Sequence, residues 1–175
     1  VKETVMALKL TDQFLAELDV EAAATRRVLE RVPEGRDDWK PHPKSMPMGR
    51  LAQLVAEIPG WVAVTIDRDE LDVMGGDGGA RPVLATTRER LDALDHAVAA
   101  AREALARTTD DHLMTTWRML ASGALVSEEP RYLVLRHSVF NHLAHHRGQL
   151  TVYLRLNDEP VPSVYGPTAD DNRFA

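Results

Sequence analysis

Apolar residues return at three- and four-residue spacing in four separate stretches of this chain, and strand-like alternation is scarce. That period is the helical one, so each stretch reads as a helix with one face to bury. The first series is Leu8, Leu15, Leu18, Ala22, Leu29 and Val32, halted by Pro33-Glu34-Gly35. Trp39-Lys40-Pro41-His42-Pro43 cannot be helical, because two prolines remove donors and restrict their neighbours. Ser45 and Pro47 then mark a second start, with Met48, Leu51, Val55, Ile58 and Val62 as its stripe. Pro59-Gly60 interrupts this helix and predicts a kink or an early end. Thr86 with Glu89 three residues on is a capping box; behind it run Leu91, Leu94, Val98, Ala101 and Leu105. From Thr108 to Glu129 the period fades; His112 to Trp117 reads as extended and Gly123 as a turn. Pro130 opens a fourth helix to about Leu156, on the order of 40 Å long at 1.5 Å per residue. Four long amphipathic helices predict an all-α four-helix bundle. Residues 1–175 read as one domain with an irregular tail from about residue 157.

The rest of the composition narrows the function. Lys and Arg number 21 against 27 Asp and Glu, a formal net charge of −6, which disfavours a nucleic-acid binder because phosphate neutralisation needs a basic patch. With no Cys, disulfides, thiolate metal sites and cysteine nucleophiles are excluded. No apolar run approaches the ~20 residues of a membrane helix. Val1-Lys2-Glu3-Thr4 lacks a signal peptide's basic head and apolar stretch, so a soluble cytoplasmic protein is expected. Gly75-Gly76-Asp77-Gly78-Gly79 lacks the Gly-Lys-Ser/Thr ending and the preceding strand of a phosphate loop, and reads as a connector.

Four of the seven His, namely His137, His142, His145 and His146, fall in one short stretch. His142 and His146 are spaced i, i+4, so both imidazoles project from one helix face and can reach one metal ion. Their helical neighbours Leu135, Val139, Leu150 and Tyr153 point that face inward, the setting in which bundles build metal sites. The simpler alternative is a His-rich helix whose rings each find a carbonyl or carboxylate. His145 lies some 100° away from His146 and reads as packing or solvent-facing. His137 fits the face poorly, and His96 and His112 read as ordinary surface residues.

Asn141-His142-Leu143-Ala144-His145-His146-Arg147-Gly148-Gln149-Leu150 resembles the last-helix signature of the DinB-like superfamily. Three further segments agree in order: Trp39 to Met46, Leu51 to Trp61, and Val161 to Pro167. The resemblance implies a four-helix bundle in up-down-down-up order, commonly a homodimer. It also implies a divalent transition metal, Zn or Ni, held by three His, two of which carry over to His142 and His146. The third, on helix two, falls on Leu54, which has no donor atom, so the three-His site is incomplete. Glu57, one turn on from Leu54, is the possible third ligand, with Gln53 beside the vacated position; against this, Glu57 occupies the family's ordinary Glu position and suits a salt bridge. Arg147 and Gln149 belong to the same block and suit holding a dimer or the tail. Trp61 and Trp117 suit either a pocket wall or plain packing, and His42 either a cleft mouth or an ordinary turn.

Two functions follow from the resemblance. One is a metal-free small-molecule-binding or stress-related protein, favoured because Leu54 restores an apolar stripe. The other is a metal-dependent thiol S-transferase or isomerase using a low-molecular-weight thiol such as mycothiol or bacillithiol. The lack of Cys suits it, since that nucleophile arrives with the cosubstrate. A structural homodimer that regulates a partner is a third, weaker reading.

Overall fold

The computed structural model describes residues 9–75 and 83–171. Leu8 and the glycine-run connector, apart from Gly75, lie outside them. The helices are α1 (Leu10–Leu29), α2 (Met48–Glu57), α3 (Trp61–Asp67), α4 (Thr87–Arg107), α5 (Asp110–Leu113), α6 (Arg131–Val134) and α7 (His142–Leu156). A 3-10 turn, Ile58–Gly60, joins α2 to α3. This is the kink expected at Pro59, whose ring removes a donor and crowds the preceding turn. The Thr86–Glu89 capping box is present in both directions.

These helices share one core. α1 packs on α4 and α7, and α2 packs on the same two partners. Leu18, Leu29, Leu51, Val55, Ile58, Leu94, Leu105, Leu135, Val139, Leu143 and Leu150 are buried at their contacts, and the 3.6-residue period on each helix brings them there. Gly49 is required at the start of α2. A Cβ there would sit 2.5 Å from Asp37 Oδ1, and that carboxylate pairs with the fully buried Arg90 of α4.

The all-α expectation is corrected by a small sheet: β1 (Glu70–Asp72), β2 (Thr116–Ala121) and β3 (Ala124–Pro130), in the order β1-β2-β3. β1 runs parallel to β2, and β2–β3 is an antiparallel hairpin with a register shift between Met119 and Leu120. Ser122 and Gly123 both have positive φ, 51° and 78°, as a two-residue hairpin turn of matching twist requires. The Asp72 carboxylate accepts from both turn amides, at 2.9 and 2.7 Å. Those bonds, led by the Gly123 amide, hold its pKa below the usual value. Gly123 is the turn expected, but the stretch expected to be extended starts too early, since His112 and Leu113 lie in α5. Periodicity gave no sheet because only Trp117 is buried in β2 and no residue is buried in β3.

Two further features have no local sequence signal. α1 lacks a side-chain cap at Lys9; instead the Asp110 carboxylate of α5 accepts from the Leu10 and Thr11 amides at 2.9 and 3.1 Å. The stretch Leu135–Asn141 between α6 and α7 is π-helical, a wide-turn form that is rare and frequent at functional sites. From Asn157 to Asp171 the described chain has no helix or strand. It is fastened by Arg27 donating to the Ser163 carbonyl and by the Arg155–Asp170 pair.

Candidate functional site

The last helix delivers its histidine pair directly after the π-helical stretch. Nε2 of His142 and Nε2 of His146 lie 2.7 Å apart. His142 Nδ1 is 3.3 Å from the Ser138 carbonyl, and His146 Nδ1 is 2.8 Å from Gln149 Oε1. Both partners are oxygens that only accept, so each Nδ1 is a donor. Two neutral imidazoles carry two ring protons, and these contacts use both. The two Nε2 lone pairs then face each other, an arrangement that a bound metal ion relieves. A hydrogen-bonded Nδ1 with a free Nε2 is also how ligating histidines are oriented.

The indole of Trp61 covers one side of the pair, its ring 5.3 Å from that of His142. Burial pushes the His142 pKa below the ordinary value, and charge on His146 pushes it the same way; the Ser138 carbonyl opposes both. The folded state therefore binds this proton less readily than the unfolded chain, whose histidine titrates near 6.5. The associated stability is complete above about pH 6.5 and is lost as pH falls through the depressed value. Urea unfolding at a series of pH values should show a smaller acid loss for His142→Phe than for the natural protein. Equal losses would mean that His142 is not the titrating group.

The other residues singled out by sequence divide clearly. His145 is exposed, as expected, and its Nε2 meets Gln149 Nε2 at 3.0 Å. His137 stands 3.4 Å from a Glu129 carboxylate, away from the pair. His42 Nδ1 accepts from the Lys44 amide and serves a turn. His96 is exposed, whereas His112 is half-buried with Nε2 3.0 Å from the Ile66 carbonyl. Trp117 packs in the core side of the sheet. Leu54 is 7% exposed and belongs to the core cluster. Glu57 Oε1 accepts from Gln53 Nε2 at 2.8 Å, and Gln53 Oε1 in turn accepts from the Leu84 amide at 3.3 Å.

The donor set fits a divalent ion at two positions. Imidazole nitrogen suits zinc or nickel, but among the described residues no group of three His, Cys, Asp or Glu is placed to hold a metal ion. Leu54 leaves the position expected of a third ligand apolar.

Arg147, one residue beyond the pair, is 1% exposed. Its guanidinium donates to the Glu21 carboxylate at 2.6 Å, to the Glu21 carbonyl and Thr25 Oγ1 at 3.1 Å, and to the Tyr165 hydroxyl at 2.6 Å. It thus holds the tail, one of the roles its place in the block suggested. The profile of the DinB family matches residues 6–173 of this chain.

The chain belongs to the DinB family.

Two solved DinB-like structures share its fold. The protein from Bacillus cereus ATCC 10987 is 23% identical with a TM-score of 0.66, over 87% of this chain and 95% of that one. The protein from Bacillus subtilis is 15% identical with a TM-score of 0.65, over 83% and 92%. No curated protein matches the chain. Within the DinB family fold, sequence reasoning missed the roles of Gln149 and Ser138. A polar residue three and four positions after two histidines was the available signal for Gln149; a backbone carbonyl in a π turn gives none.

Proposed function

We propose that this DinB-family chain is a small-molecule-binding protein in which the three-His site has degenerated to a two-nitrogen half-site, His142 and His146. The observation that carries this reading is the convergence of the two Nε2 atoms at 2.7 Å; helix α2, which packs on α7, carries Leu54 where the resemblance expects a third imidazole. A catalytic transition-metal site ordinarily has three protein ligands and one open position. Two nitrogens alone bind such an ion weakly, so the pair serves as a polar anchor for a ligand beside the Trp61 indole. The wider reading is a four-helix bundle in up-down-down-up order, working as a cytoplasmic homodimer.

A second reading keeps the metal: a thiol S-transferase or isomerase, with Glu57, Gln53 or a donor on the bound ligand completing the set. The hydrogen-bonded Nδ1 atoms of both histidines favour it, because that orientation suits a ligating imidazole. When bound, a divalent ion would lower the pKa of a cosubstrate thiol.

Elemental analysis of untagged protein beside Leu54→His, prepared identically, separates the two. The half-site reading expects an empty natural protein and a loaded Leu54→His variant. A stoichiometric metal in the natural protein would overturn it in favour of metal-dependent chemistry.

A further inference from the structure

We propose that Gln149 is the positioning residue of the histidine pair: its amide fixes which nitrogen of His146 carries the ring proton and so turns the His146 Nε2 lone pair toward His142. This rests on reading the pair as a two-nitrogen half-site. Gln149 follows His146 by three positions and His145 by four, so one side chain on the helix surface reaches both rings. Its Oε1 lies 2.8 Å from His146 Nδ1, and its Nε2 lies 3.0 Å from His145 Nε2. An amide oxygen only accepts and an amide NH2 only donates. His146 is thereby held with its proton on Nδ1 and its lone pair on Nε2, and His145 with its lone pair on the nitrogen facing the amide. The two bonds support each other: turning the amide over would require both rings to exchange tautomers. His142 needs no such partner, because the Ser138 carbonyl in the π-helical stretch meets its Nδ1.

The exposed histidine of the cluster acquires a part in this scheme. His145 does not reach the common point of the pair, but it holds the amide that does the orienting. Gln149 is itself exposed, so replacing it removes hydrogen bonds while leaving the core packing intact.

Two measurements test the proposal in the full-length protein. Nitrogen-15 spectra of labelled histidine, taken metal-free at about pH 8 where imidazoles are neutral, should show His146 as the Nδ1–H tautomer. Gln149→Glu, which retains an acceptor, should keep that tautomer, and Gln149→Leu should shift it toward Nε2–H. Titration with Co2+, followed by visible absorption, should weaken about 10- to 100-fold in Gln149→Leu and hold or tighten in Gln149→Glu. An Nε2–H His146 in the natural protein, or an unchanged tautomer in Gln149→Leu, would overturn the role of Gln149. If the tautomers behave as stated while the natural protein takes no Co2+, the positioning role stands and the metal-keeping reading of the site falls.

Discussion

Replacing Arg147 by alanine is expected to cost about 3–5 kcal/mol of unfolding free energy. The guanidinium is almost wholly buried, and the Glu21 carboxylate that it meets is only 9% exposed. Removing the cation strands an anion in a place with little water to replace it, and that penalty exceeds the modest net value of the pair itself. Three segments lose a shared anchor at once: α1 through Glu21 and Thr25, α7 through Arg147, and the tail through Tyr165. The Tyr165 ring also packs against the guanidinium, its centroid 5.1 Å away. Urea denaturation measures the loss directly. The double variant Arg147→Met with Glu21→Gln should recover part of it, because neither replacement carries a charge. A single-variant loss under about 1 kcal/mol would place the pair with ordinary surface ion pairs and contradict the burial.

Arg131→Ala is expected to be nearly as damaging, at about 3 kcal/mol, by a different route. This side chain is 2% exposed and binds mostly backbone. Nε donates to the Thr65 carbonyl at 3.0 Å, Nη1 to the Thr116 carbonyl at 2.8 Å and Thr115 Oγ1 at 2.6 Å, and Nη2 to the Arg68 carbonyl at 3.1 Å. Thr65 and Arg68 lie at the carboxyl end of α3, where carbonyls have no intrahelical partner and a cation is favoured. One guanidinium thus ties the end of α3 to the first residues of β2 and the start of α6. Without it several acceptors lose their donor, each at about 1–3 kcal/mol when buried. Hydrogen exchange should show the β2 and β3 amides gaining exposure before those of α1. Unchanged protection in the sheet would mean that the hairpin is held by other contacts.

Sequence and structure agree where the signal is local. The Thr86–Glu89 box and the break at Pro59-Gly60 depend on residues within one or two turns of each other and stand where their patterns put them. The apolar stripes do so in part: Leu18 and Leu29 are buried in α1, but Leu15 and Ala22 are half-buried beside a face made by Phe14, Ala24 and Val28. The histidine pair belongs to the same class, since i, i+4 spacing is itself a statement about a helix face. What the pattern does not carry is long-range or backbone-mediated. The three buried arginines look like solvated residues in a helix pattern, because carbonyls and carboxylates distant in the chain satisfy them. The hairpin hides because its exposed strands show no alternation. The π-helical stretch hides because Leu135 and Val139 suit an ordinary helix equally well, although the wider turn changes the phase of every side chain across it.

The cap on α1 bears on the order in which the molecule can be completed. The amides of Leu10 and Thr11 close on a carboxylate that follows them by about a hundred positions, and the Lys9 side chain itself does not cap the helix. On a ribosome, which builds domains from the amino end, the first turn of α1 remains frayed while α2, α3 and α4 are being made. It closes only once Asp110 emerges, so the first of the described helices is among the last to acquire its end.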